Sequence, residues 1–166
     1  MILLNKLSAV FGIGYMIALG PFAIVSDDLR HNKTLQRIII LSIQLAIIGL
    51  GTIGQRILLA AQRHPDVEVV AVFDATPISL ESLSLDEAQC SKISVESSAQ
   101  ALMKRSDVDI VYIGTPPNSH MHYCHMALDN NKAIWCEKPL AVNVAESKAF
   151  IERLRQTPIK AAVNLS

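Results

Sequence analysis

One stretch narrows the folds open to this chain more than any other: Gln44-Leu-Ala-Ile-Ile-Gly-Leu-Gly-Thr-Ile-Gly-Gln55. Ile43 to Ile48 is an aliphatic, β-branched run of the kind that forms a strand buried on both faces. It passes straight into Gly49-x-Gly51-x-x-Gly54, and an apolar stripe at helical spacing follows, Ile53, Ile57, Leu58 and Ala61. Strand, glycine turn and helix in that order make the dinucleotide-binding fingerprint. Gly49 permits the tight turn, Gly51 lets backbone approach a pyrophosphate, and Gly54 lets the helix pack close to the strand. The new helix would aim its unpaired N–H groups and the positive end of its dipole at phosphate oxygens. A second apolar strand, Val67 to Phe73, ends in Asp74. That acid follows the last glycine by about twenty residues, the spacing at which a carboxylate meets the ribose.

Composition removes several classes of partner. Lysines and arginines number 15, and so do aspartates and glutamates. With no net charge, and no basic stripe interleaved with aromatics, a nucleic-acid partner is not expected. The cysteines are Cys90, Cys124 and Cys136, an odd count with no CxxC pair or metal-knuckle spacing. Reduced, mostly buried thiols in a cytoplasmic protein are the expectation. His120, His122 and His125 share one expected helix, but no carboxylate or cysteine stands with them at ligand spacing, so no metal is expected.

Residues 1–42 read as an apolar extension and linker, and 43–166 as one domain. Leu7 to Val25 is almost wholly apolar and approaches the length of a membrane span, about twenty residues. Three readings stand. It is a membrane helix, interrupted by Gly12, Gly14, Gly20 and Pro21, with the domain facing the cytoplasm because Arg30, Lys33 and Arg37 follow it. It is a signal peptide, a poor one with Pro21 at the cut. Or it lies outside the fold, as a variable extension or as sequence upstream of the true start. Beyond the linker, strands and helices alternate. A helix is expected from Thr52 to Arg63, a short one around Leu85 to Ala88, a strand over Lys92 to Val95, and a helix over Glu96 to Arg105. A strong strand covers Val108 to Gly114. Thr115-Pro-Pro-Asn-Ser-His120 breaks it, with Asn118 or Ser119 capping a helix that ends at Asn130-Asn131. A short strand, Ala133 to Cys136, leads into Glu137-Lys138-Pro139. A helix over Asn143 to Gln156 and a strand over Ile159 to Val163 complete the pattern. Such alternation gives a doubly wound parallel sheet covered on both faces. The Asn32-Lys-Thr34 and Asn164-Leu-Ser166 glycosylation patterns carry no meaning in a cytoplasmic chain.

Four signatures in order, Gly49-x-Gly51-x-x-Gly54, Asp74, Thr115-Pro-Pro-Asn-Ser-His120 and Glu137-Lys138-Pro139, resemble the Gfo/Idh/MocA family of glucose–fructose oxidoreductase and inositol dehydrogenase. The resemblance implies a Rossmann domain and an NAD(P)-dependent oxidoreductase acting on a sugar or polyol, with NAD favoured over NADP. It implies that Gly49, Gly51 and Gly54 hold the pyrophosphate, with Thr52 and Ile53 in the same turn, and that Asp74 takes the adenosine ribose. Thr115, Pro116, Asn118 and His120 would line the cofactor cleft, although His120 reads equally as a solvent-facing residue at a helix start. Glu137 and Lys138 would sit near the nicotinamide, Lys138 on the reacting hydroxyl with Glu137 orienting it, and the Lys138-Pro139 bond is often cis in relatives. The family's second domain, an α+β substrate domain, has no counterpart before Ser166, and full-length members would be homo-oligomers. A non-catalytic dinucleotide-binding module, tethered to a membrane or not, or a truncated remnant without activity, is the alternative.

Overall fold

Among the described residues six strands, all parallel, form one sheet in the order β3-β2-β1-β4-β5-β6. They are β1 (Ile43–Ile48), β2 (Val67–Phe73), β3 (Ser94–Val95), β4 (Ile110–Ile113), β5 (Ala133–Cys136) and β6 (Ala161–Val163). The helices between them are α1 (Thr52–Ala61), α2 (Glu87–Cys90), α3 (Ala99–Lys104), α4 (Pro117–Asp129) and α5 (Val144–Arg155). This computed structural model describes residues 42–77, Leu80, Leu83, Leu85 and 87–165. The apolar segment 7–25, on which the membrane and leader readings turn, lies outside the described residues. Among the described residues no helix is long and apolar enough to cross a membrane.

The order makes β1 the hinge of the topology. The chain runs outward from β1 through β2 to β3, then crosses back to lay β4 on the other side of β1. The loops leaving β1 and β4 therefore diverge, and a crevice opens at the carboxyl ends of the strands, where open α/β sheets bind ligands.

Residues alternate along each strand, so the sheet feeds two cores. Leu45 and Ile47 join Tyr112, Trp135 and the inner face of α1, which is Ile57, Leu58 and Ala61. Ala46 and Ile48 join Val111 and Ile113 under α3, α4 and α5, with Leu102, Met103, Cys124, Phe150 and Leu154. One residue of the expected α1 stripe departs from it: Ile53 is 41% exposed, at the crevice end of the helix rather than in the core.

Helix ends follow local chemistry. The Ser98 hydroxyl accepts the Ala101 N–H at 3.1 Å and starts α3 later than the expected Glu96. The Asn143 side chain accepts the Glu146 N–H at 2.9 Å and caps α5. The expectation that Asn118 or Ser119 caps α4 is wrong. The helix begins two residues sooner, at Pro117, whose ring already holds a helical φ and whose missing N–H is no loss in the first turn. The Ser119 hydroxyl lies 2.8 Å from both the Thr115 hydroxyl and the Pro116 carbonyl oxygen. Asn131, at φ 56°, ends α4 in the left-handed region, as the Asn-Asn pair suggested. The short helix α2 lies two residues beyond the expected Leu85.

Because Ile47 is wholly buried at the centre of the sheet, Ile47→Ala should cost about 2–5 kcal/mol. Val95, 49% exposed on the edge strand, should lose under about 0.5 kcal/mol on change to Ala. Urea unfolding of both variants checks the contrast.

Candidate functional site

The crevice is built first by close backbone contacts around the glycine turn. Gly49 lies at φ +91°, and a Cβ there would stand 2.8 Å from the backbone of Gly114 and Thr115. A Cβ on Gly54 would lie 1.9 Å from the Gly49 carbonyl oxygen. The turn is pinned on both sides: the Gly49 N–H donates to the Phe73 carbonyl at 2.9 Å, and the Gly114 N–H to the Ile48 carbonyl at 2.8 Å. Gly51 is different, since nothing stands within 4 Å of where its Cβ would be. That open space lies directly before the first turn of α1, which carries neither a side-chain cap nor an acidic residue. Elsewhere α3 and α5 cap themselves with Ser98 and Asn143. At α1 the N–H groups are left for an outside acceptor, so an anion such as a pyrophosphate fits.

Asp74 follows β2 at the crevice, half-buried. One carboxylate oxygen accepts the Leu50 N–H at 2.6 Å and the other the Thr76 N–H at 2.8 Å. The carboxylate thus ties the glycine turn to the end of β2, and it keeps further lone pairs for a ligand hydroxyl.

The opposite wall comes from the turns after β4 and β5. Thr115 is half-buried, and Pro116 and Asn118 are exposed. His120 is not solvent-facing: it is wholly buried, and its ring spans the two turns. Nδ1 lies 2.8 Å from the Pro139 carbonyl oxygen, and Nε2 lies 2.7 Å from that of Thr115. It therefore meets the crevice from behind its wall. Burial by itself lowers the pKa of His120, but contact with Cys136 and the two carbonyl oxygens outweigh it and raise the value to about 9. The other two histidines point away from it. His122 is exposed against the edge of Tyr123, and His125 bonds Arg153 at 2.7 Å and packs on Phe150. No group of three or more His, Cys, Asp or Glu among the described residues is arranged to hold a metal ion.

Glu137 is 9% exposed and Lys138, beside it, is exposed. The Lys138-Pro139 peptide is cis. The Glu137 carboxylate accepts the Tyr112 hydroxyl at 2.6 Å and the Asn164 side-chain amide, and at 3.3 Å the backbone N–H of Lys138. The carboxylate thus reaches Lys138 through its backbone N–H. Burial, then the bond to Glu137, raise the pKa of Tyr112, which keeps its hydroxyl proton for that bond. Contact with Cys124, then burial, raise that of Cys136. Neither Tyr112 nor Asn164 stood out in the sequence. A lone hydroxyl in the apolar run Ile110–Ile113 was the signal for the first. Asn164 had looked like a glycosylation motif. It is instead 3% exposed, and it follows Val163, which pairs with Cys136, so it lies beside Glu137.

Gly49, Gly51, Thr52, Ile53, Gly54, Asp74, Thr115, Pro116, Asn118, Glu137 and Lys138 thus stand at one end of one sheet. A family model described as "Oxidoreductase family, NAD-binding Rossmann fold", Gfo/Idh/MocA, matches residues 43–165. The chain belongs to the Gfo/Idh/MocA oxidoreductase family. It is 31% identical over 103 residues to a 1-carboxy-3-chloro-3,4-dihydroxycyclohexa-1,5-diene dehydrogenase of Comamonas testosteroni, a match covering 62% of this chain and 25% of that protein. It is 26% identical over 126 residues to an inositol 2-dehydrogenase of Rhizobium meliloti, covering 76% of this chain and 37% of the relative. The crystal structure of an NAD-binding protein from Listeria innocua superposes with a TM-score of 0.64 at 27% identity, over 74% of this chain and 35% of that one. The chain thus spans about a quarter to just over a third of such relatives. What it contains is the family's NAD-binding Rossmann domain.

The two later glycines should separate in their effects. Gly54→Ala forces a methyl against the Gly49 carbonyl and should lower stability by about 1–3 kcal/mol, seen as a drop in thermal midpoint. Gly51→Ala meets only open space and should stay within about 0.5 kcal/mol of the parent, yet weaken NAD binding measured by calorimetry.

Proposed function

We propose that this chain is the cofactor-binding half of an NAD-dependent oxidoreductase acting on a hydroxyl-bearing carbon of a sugar or polyol. The observation that carries this reading is the placement of Lys138. Its backbone is anchored by a buried carboxylate, its side chain is exposed, and it stands at the same end of the sheet as the uncapped first turn of α1. A module that only bound a dinucleotide would have no use for a buried carboxylate under an exposed lysine.

When bound, the nicotinamide ring supplies the hydride acceptor or donor. The chain's own residues do the rest. The amides of Thr52, Ile53 and Gly54 would take the pyrophosphate, and Asp74, held by Leu50 and Thr76, would accept the ribose hydroxyls. The Lys138 ammonium would sit against the substrate oxygen and favour its alkoxide-like form as the hydride departs, since carbon otherwise gains positive character. Glu137 positions the turn that carries the lysine, and Tyr112 and Asn164 keep the carboxylate in place. Contacts to the substrate itself would come from a second domain.

Cofactor choice follows from Asp74. A carboxylate at the ribose repels a 2′-phosphate, and Ala75, Thr76 and Pro77, which follow, offer no cation. Calorimetric titration should give tighter binding of NAD than of NADP, and Asp74→Ser should narrow the gap; tighter NADP binding by the parent chain would refute the assignment.

Lys138 is tested in a fusion carrying a complete substrate domain. Lys138→Ala should lose turnover by about a hundredfold or more while NAD affinity holds, the pattern of a group used in the transition state. Turnover equal to the parent's would make Glu137-Lys138-Pro139 a surface turn.

A further inference from the structure

Among the described residues His120 is the one histidine that is wholly buried with two short contacts to acceptors. A neutral imidazole carries one N–H and one lone pair. Both ring nitrogens here face carbonyl oxygens, Pro139 at 2.8 Å and Thr115 at 2.7 Å. In either neutral tautomer one of those contacts sets lone pair against lone pair in a fully buried site. The imidazolium alone donates to both. The two carbonyls belong to different turns, Thr115 after β4 and Pro139 after β5, so the ring bridges the two segments that form the far wall of the crevice.

We propose that His120 is a positioning residue, held as an imidazolium, that clamps the turn after β4 to the Lys138-Pro139 turn and so sets the wall against which the dinucleotide seats. The functional half of this proposal rests on the dinucleotide reading; the clamp itself does not.

The groups around the ring are few. From β5 the Cys136 thiol faces it, in turn touching Cys124 on the same helix as His120. In the turn beyond, Glu137 is engaged by Tyr112 and Asn164, and Lys138 is exposed. Loss of the His120 proton is therefore the titration to follow. With a folded-state pKa of about 9 against 6.5 for the free side chain, the clamp's contribution to stability is complete below the unfolded value. It is lost as pH rises through the folded one.

The test uses the full chain labelled with ¹⁵N. Long-range ¹H–¹⁵N spectra of the histidine side chains at pH 7.5 should show His120 with both nitrogens protonated. A neutral tautomer for His120 would overturn the clamp. Two variants then read its positioning role: His120→Gln, which keeps donors without the charge, and His120→Phe, which keeps a ring without donors. Loss of a charge-assisted bond should speed exchange of the Lys138 amide by about tenfold or more and weaken NAD binding, more in Phe than in Gln. In the parent chain NAD affinity should fall as pH rises through 9, and in both variants that fall should vanish. Variants with unchanged amide exchange and unchanged NAD affinity would sink the positioning role. If the parent binds no NAD at all, the cofactor reading fails, while the nitrogen spectra and the Lys138 exchange still decide the clamp.

Discussion

The contact on which the rest of this structure depends is between the Gly49 carbonyl and the Cα of Gly54. The space there would put a Cβ 1.9 Å from the oxygen, so α1 can leave β1 at this angle only without a side chain. That angle decides where the amide end of α1 points. It also brings the turn against Gly114, itself bonded to Ile48, so that the crevice wall after β4 is set by the same contact. Asp74 reinforces it from the other side through the Leu50 N–H. Apolar packing holds the sheet together, but it is this backbone-on-backbone approach that leaves a row of unanswered N–H groups facing open space.

The other end of the crevice is governed by a different economy. The sheet is almost wholly apolar in its interior, and of the four buried polar side chains among the described residues three, Glu137, Asn164 and His120, gather at the carboxyl ends of the strands, while Lys160 directly precedes β6. Burying such groups is unfavourable unless each is fully bonded. Glu137 meets this with a hydroxyl, an amide and a backbone N–H, and His120 with two carbonyls. A domain seeking stability alone would fill those positions with apolar residues. Polar groups kept there, fully satisfied, hold the Thr115 and Lys138 turns in one arrangement. The proposed hydride transfer would call for such fixed placement, since small displacements of reacting groups are costly.

Local chemistry in the sequence carried much of this. Strands β1, β2 and β5 have the bounds that their apolar runs announce, since a buried parallel strand needs apolar residues on both faces and a turn residue at each end. The roles of Gly49 and Gly54 were readable because backbone sterics act over a few residues. Helix ends were less so: Asn118 and Ser119 are good capping residues, but Pro117 preceded them and took the first turn.

What the sequence determined by itself, then, is the order of elements, the glycine turn and the presence of an acid and a lysine at strand ends, all consequences of bonding and periodicity along the chain. Only the tertiary structure decided where the side chains of those strand ends go. Tyr112, Glu137 and Asn164 are 25 and 27 residues apart in sequence, and they meet because β4, β5 and β6 lie side by side. His120 bonds Thr115 within its own turn but reaches Pro139 across the gap between β4 and β5. No pattern along the chain encodes such meetings. Strand order and register set them, and those are settled by how the two faces of the sheet bury their apolar residues together.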